Sequence, residues 1–404
     1  MYLKNILVTN YKSIQKAQID FEPGLNILIG KNGAGKSNLL QFISNNLDYN
    51  KIYSLDNNNI PGNLEYSFVI TYIEEKDIYD TTIGVNKTKA IVNNSITYTT
   101  NLTINKREND AVTYEGTHQL EGKQFFKPNG NGKPLPIELE FLQGFWINKV
   151  DFQIPFPSAW LDKPNKYQVQ IDLNIDGADY GLYDILRNLE GGLIMKLLTM
   201  AITNDQFGHF LFDDNIVGKI ESYFFDTFKE FKTIYQMDSY LKKYSPIQDI
   251  RLSPNVNIYK TDKKVLVENL IIDFQIDGNW IPWSYLSDGT KRLFYIITQC
   301  LSNPSGLILI EEPELGIHPH QLYSLMEFLN EQSYEKQIII STHSPIVLDI
   351  LKPEELKRIN IAKMSPHGTE FIKLNDEQKE TAIEYMSKVG DLSYYWLHSD
   401  LENE

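Results

Sequence analysis

The sequence predicts an α/β fold: a mixed sheet core with an antiparallel β lobe and a helical insertion. Three observations lead to it. An apolar run, Leu25-Asn26-Ile27-Leu28-Ile29, passes straight into a glycine-rich string and then into the helix-like Asn38-Leu39-Leu40-Gln41-Phe42-Ile43. Late in the chain, Leu307-Ile308-Leu309-Ile310 and Ile338-Ile339-Ile340 are apolar without alternation, the pattern of strands covered on both faces. Between these, residues 65–126 alternate in Thr, Ile, Val and Tyr as antiparallel strands do, and residues 180–245 carry amphipathic helical spacing.

Composition narrows the class of protein. The 404 residues suffice for one large domain or two smaller ones, and 42% hydrophobic with 23% charged residues is ordinary for a globular chain. A net charge of −15 argues against a surface that coats nucleic acid indiscriminately. Cys300 stands alone, so no disulfide framework and no cysteine-built metal site forms within one chain. The start, Met1-Tyr2-Leu3-Lys4-Asn5-Ile6-Leu7-Val8, reads as a strand, not a cleavable signal, and no apolar run approaches the roughly 20 residues that span a bilayer. A soluble, cytoplasmic protein is expected.

Taken in order, Ile6-Leu7-Val8-Thr9 and Ala17-Gln18-Ile19-Asp20-Phe21 are short strands, and Pro23-Gly24 turns the chain into the run at Leu25. The Asn-rich residues 45–59 make a break. A hairpin turn is expected near Val92-Asn93-Asn94-Ser95 in the β lobe, and Gly, Pro and aromatics make residues 127–170 read as loops. The helical zone lacks the sustained heptads of a long coiled coil. Strand character returns at Val265-Leu266-Val267 and Leu270-Ile271-Ile272-Asp273-Phe274. The expected divisions are 1–175 for an N-terminal half with the β lobe, 176–250 for the helical insertion, and 251–404 for a C-terminal half.

Gly30-Lys31-Asn32-Gly33-Ala34-Gly35-Lys36-Ser37 is a complete G-x-x-x-x-G-K-S phosphate loop between a strand and a helix. Its glycines let successive N–H groups turn inward on a polyphosphate, and the helix N-terminus adds its dipole. Lys36 would reach the β- and γ-phosphates and Ser37 would hold Mg²⁺. Three more stretches follow the insertion. Ser287-Asp288-Gly289 precedes an apolar helix and makes a second anion-binding surface, suited to a phosphate offered by another subunit. Glu311-Glu312-Pro313-Glu314 ends a buried strand, with Glu311 facing magnesium and Glu312 polarising the attacking water. His343 ends another buried strand and reads as a γ-phosphate contact.

These four stretches together resemble the ATP-binding-cassette (ABC) ATPases of the soluble branch: chromosome-maintenance heads, RecF-like repair proteins and the ATPase part of overcoming-lysogenization-defect (OLD) nucleases. The likeness covers about residues 1–45 and 282–350, and includes Asn10-Tyr11-Lys12-Ser13-Ile14, Leu286-Ser287-Asp288-Gly289 and Ser341-Thr342-His343-Ser344-Pro345. The resemblance implies a P-loop NTPase of ABC-ATPase head type that binds ATP through Gly30, Asn32, Gly33, Gly35, Lys36, Ser37 and Asn38. Metal would be held by Ser37 and Glu311, and catalysis carried by Glu312 and His343. It further implies a homodimer, or a higher homo-oligomer, in which Ser287, Asp288 and Gly289 of one copy cap the ATP of the other. The family's glutamine loop has two candidates, Gln143 and Gln153, with Gln153 favoured by its strand-to-proline setting. Glu311 stands where many relatives have Asp, and His318 where transporters have an aspartate.

The resemblance leaves several functions to choose among. A transporter motor does not fit the long insertion, a self-contained OLD nuclease would need a metal-binding domain after His343, and a chromosome-structuring protein would need a heptad arm. The chain resembles the ATPase subunits of bacterial anti-phage systems of the Septu and PARIS types, which implies a separate protein effector, a nuclease or toxin. A RecF-like repair ATPase that binds DNA is the alternative, so a nucleic-acid partner stays open; no membrane partner is expected.

Overall fold

A β-bulge between Leu3 and Asn5 resets the alternation of strand β1 (Tyr2–Tyr11), so that Leu3, Ile6 and Val8 all turn inward. Strand β2 (Ile14–Asp20) pairs back on it through a turn in which Asn10 and Lys12 take positive φ. Then come β3 (Leu25–Ile29), helix α1 (Lys36–Asn46), and the β lobe: β4 (Leu64–Glu74), β5 (Asp77–Val92), β6 (Ser95–Glu108) and β7 (Ala111–Glu121). Val92 pairs with Ser95, where the hairpin was expected. Strand β8 (Ile147–Val150) falls in the stretch whose composition predicts loops; four residues are too few to show a period.

The middle of the chain holds β9 (Val169–Asp172), β10 (Tyr180–Gly181), β11 (His209–Phe210), helix α2 (Lys232–Tyr244), β12 (Asp249–Leu252), β13 (Asn257–Lys260), β14 (Lys264–Glu268), β15 (Ile272–Ile276), β16 (Asn279–Pro282) and helix α3 (Asp288–Ser302). The remainder is β17 (Leu307–Glu311), α4 (Pro319–Gln332), β18 (Gln337–Thr342), β19 (Ile359–Ser365), β20 (Gly368–Ile372), α5 (Asp376–Lys388) and α6 (Leu392–His398). This computed structural model describes residues 2–47, 64–74, 77–92, 95–108, 111–121, 147–150, 169–172, 180–181, 209–210, 217–218, 221, 225, 228–230, 232–260, 264–268, 272–302 and 306–399. Most of the helical zone expected over 180–245 lies outside them.

The chain divides into two units: residues 1–150, 304–314 and 329–404 in the first, and 151–303 with 315–328 in the second. In the first, an antiparallel sheet has the order β2-β1-β4-β5-β6-β7. The other sheet has the order β20-β19-β3-β18-β17-β8, parallel except for β20. Helix α1 lies in the core that both share. Its Leu39, Leu40, Phe42 and Ile43 pack with Ile6, Ile19 and Phe68 of one sheet and with Leu28, Leu309 and Ile339 of the other. Phe42 stands edge-on to Tyr11 at 4.8 Å and to Phe68 at 5.1 Å. Strands β3, β17 and β18 are buried along their whole length, which is why their sequences run apolar without alternation.

In the second unit, Phe274 of β15, Trp283 of a 3-10 turn and Phe294 of α3 form an aromatic cluster with centroids 5.2 to 5.7 Å apart. Tyr240 and Tyr244 of α2 close on Phe328. Cys300 is buried on α3. Among the described residues, no helix is long and apolar enough to cross a membrane.

Candidate functional site

In a parallel sheet, the C-terminal ends of adjacent strands come together. Here Ile29 pairs with Thr342, and Ser341 with Glu311, so the glycine-rich loop, the acidic strand end and the histidine turn share one edge of the first unit. The close approach of β19 and β20 fixes the loop. A Cβ on Gly30 would fall on the Ala362 carbonyl oxygen, and Gly35, at φ 94°, would drive one into Thr369 Oγ1.

Gly35 caps α1 without a side-chain hydrogen bond, and the first N–H groups of a helix have no intrahelical acceptor. They form an anion cradle at the positive end of the helix dipole. Lys36 is only 5% exposed, and its ammonium donates to the carbonyls of Gly30 at 2.6 Å and Lys31 at 3.0 Å. A buried cation needs oxygen acceptors, and phosphate oxygens would meet the same need. Asn38 donates through Nδ2 to Ser13 Oγ at 2.7 Å; Ser13 Oγ in turn lies 2.7 Å from Thr369 Oγ1. The Asn10–Ile14 turn is thereby tied to both α1 and β20, a contact that sequence reasoning did not assign.

The acidic end is more specific. Glu311 is 6% exposed and lies on the α1 face of its sheet, beside Ser341. Glu312 takes φ 45°, in the left-handed region that a side chain rarely adopts, and its N–H donates to the Ser341 carbonyl at 2.7 Å. This backbone turn separates the directions of two successive carboxylates. Glu312 Oε1 lies 3.7 Å from His343 Nδ1. Glu314 comes closer, at 3.4 Å, and its Oε1 also accepts from Thr342 Oγ1 at 2.6 Å and from the His343 N–H at 3.1 Å. Sequence reasoning gave Glu314 no role. Its signal was a third carboxylate after Pro313, whose partner lies 28 residues away in the chain.

The second unit holds Ser287, Asp288 and Gly289. Ser287 caps α3: its Oγ accepts from the Thr290 N–H at 3.2 Å and lies 2.9 Å from Thr290 Oγ1. The Asp288 side chain is fully exposed. Gly289 packs against residues 316–317, where a Cβ would fall 2.6 Å from the Gly316 carbonyl oxygen. Arg292 bonds the Leu315 carbonyl, fastening the same loop. Gln143 and Gln153 lie outside the described residues.

Ser37 and Glu311 offer hard oxygen donors of the kind Mg²⁺ takes. Among the described residues, no three His, Cys, Asp or Glu side chains gather into a metal cage.

Residues 1–128 match the AAA_15 family, an AAA ATPase domain, and residues 202–349 match AAA_21, described as AAA domain, putative AbiEii toxin, Type IV TA system. Both matches are to AAA ATPase domains, and together they support an ABC-like ATPase. The chain is 24% identical over 394 residues to a retron Vc95 probable ATPase of Vibrio cholerae, covering 89% of this chain and 73% of that protein. A 43-residue stretch, 11% of this chain, is 49% identical to the DNA replication and repair protein RecF of Lactobacillus acidophilus, of which it covers 12%. Among solved structures, an SMC head bound to the C-winged helix domain of ScpA matches with TM-score 0.51 and 15% identity, over 94% of this chain and all of that one, and shows the fold.

Proposed function

We propose that this ATPase binds ATP with Mg²⁺ at the loop of Gly30, Asn32, Gly33, Gly35, Lys36, Ser37 and Asn38, and hydrolyses it between two copies of the chain. The observation that carries the reading is the grouping of Lys36, Glu311, Glu312 and His343 at one edge of one sheet. Bound magnesium would neutralise charge on the β- and γ-phosphates, held by Ser37 and Glu311. Glu312 would accept a proton from the attacking water. His343, held by Glu314, would meet the γ-phosphate and sense its departure. Gln153 would complete the site.

The cap on each nucleotide would come from the partner's Ser287, Asp288 and Gly289, because an exposed, serine-capped helix start is a second anion site that a complete phosphate loop does not need. Mixing two inactive variants tests this. Lys36→Ala disables the loop and Ser287→Arg the cap; a mixed dimer would carry one intact composite site, so the mixture should regain ATP turnover that neither variant has alone. No recovery would sink the shared site.

In the cell, we infer a cytoplasmic regulator that holds or triggers a separate effector, a nuclease or toxin, in bacterial anti-phage defence. The retron-named relative across 89% of the chain and the toxin-system description of the family over residues 202–349 support that reading. The RecF-like stretch favours a second, a DNA repair ATPase that binds DNA directly. Purification from the native cell separates them: a co-purifying nuclease or toxin supports the first, and tight DNA binding the second.

A further inference from the structure

Four residues of the parallel sheet stand side by side in one row: Asn360 pairs with Leu28, Leu28 with Ser341, and Ser341 with Glu311. Lateral neighbours in a parallel sheet project from the same face, and Leu28 sits in the core with α1. Ser341 and Glu311 therefore lie on the face that α1 covers, the helix whose first turn carries Lys36 and Ser37. Ser341 is 0% exposed. Its carbonyl is already used by the Glu312 N–H, and its Oγ has no hydrogen-bond partner among the described residues. Buried hydroxyls left without a partner are rare, and the nearest lateral neighbours are a leucine and a carboxylate. A serine hydroxyl can donate one hydrogen bond and accept two, which suits a water molecule better than a carbon surface.

We propose that Ser341 is a positioning residue of the magnesium site, and that its hydroxyl holds a water of the Mg²⁺ hydration shell beside Glu311. This rests on the reading of the loop as an ATP–Mg²⁺ site. Mg²⁺ demands near-octahedral coordination and gives up its waters reluctantly, so it is bound by one or two protein oxygens and the phosphates, with the remaining shell fixed through water. Ser37 and Glu311 supply the protein oxygens. Ser341, one strand over from Glu311 and on the same face, is placed to orient the water that Glu311 cannot.

The test is the thermal shift produced by ATP in the full-length protein, read as MgCl₂ is titrated from a metal-free baseline. Wild type should show an ATP shift that grows with Mg²⁺ to saturation. Ser341→Ala should keep the nucleotide-free melting temperature and the metal-free ATP shift, while its half-saturating Mg²⁺ rises by about tenfold, the usual loss when a residue behind a metal ligand is removed. A purely structural serine would move the nucleotide-free melting temperature instead. Should Ser341→Ala not fold, Ser341→Cys keeps the volume with a poor hydrogen-bonding group and should raise the half-saturation point likewise. Half-saturation equal to wild type in the folded variant overturns the role of Ser341. No magnesium-dependent shift in wild type would overturn the nucleotide reading itself.

Discussion

Glu314 Oε1 lies 3.4 Å from His343 Nδ1, nearer than Glu312 Oε1 at 3.7 Å, and the same oxygen takes the hydrogen bonds of Thr342 Oγ1 and the His343 N–H. One carboxylate thus lies against both the backbone and the ring of the histidine, and we propose that Glu312 faces the reacting water. Glu314→Ala leaves the His343 N–H without this acceptor and Thr342 Oγ1 with only the Ser344 carbonyl at 3.4 Å, at a cost of about 1–3 kcal/mol in stability. ATP turnover should fall by about tenfold to a hundredfold while binding of a fluorescent ATP analogue holds. Turnover equal to wild type would remove Glu314 from the site.

Glu312→Gln keeps the shape of the side chain and removes its basicity. ATP should still bind, turnover should stop, and gel filtration with ATP should show a persistent dimer. A monomer under those conditions counts against the shared site.

Lys36→Ala takes away the buried cation and should abolish nucleotide binding. It also removes the ammonium that donates to the Gly30 and Lys31 carbonyls, the second of which keeps the Ala34 N–H, so a small drop in melting temperature is expected even without nucleotide. Unchanged binding of the fluorescent analogue would remove the loop assignment.

Gly35→Ala meets two obstacles, a φ of 94° and the Thr369 side chain. The strained backbone alone costs about 1–3 kcal/mol, read as a lower denaturation midpoint. Set against Thr369→Ala alone, the double variant Gly35→Ala with Thr369→Ala should lose less than Gly35→Ala does in the wild type, since it removes the hydroxyl and methyl in the way but not the φ.

Burial raises the pKa of Tyr11, against a smaller lowering by the Asn45 side chain. A group whose folded pKa is raised holds its stabilisation in full below the unfolded value of about 10 and loses it as pH rises through the folded one. The protein should therefore lose stability above about pH 10, and Tyr11→Phe should blunt that loss, measured as melting temperature against pH.

The phosphate loop was legible because everything it needs is contiguous: glycines for the turn, Lys36 and Ser37 at the helix start, and a strand before them. The buried strands were legible because cover on both faces writes itself as unbroken Ile and Leu. Strand β8 was not, since four residues among Gly, Pro and aromatics carry no period. Nor was the bond from the Asn38 amide to Ser13, 25 residues away, because nothing local in the chain marks it.

By itself the sequence determined the local chemistry: which backbone can curl around a phosphate, which strand ends in carboxylates, which helix begins with a serine cap. Local dihedral preference and hydrophobic period are properties of neighbours in the chain, so they can be read there. The tertiary structure alone decided what meets what. The order β20-β19-β3-β18-β17-β8 sets Ser341 beside Glu311, and Ser13 finds Thr369 across 356 residues. Such lateral pairing depends on which strand lies next to which, and packing of the whole core fixes that order.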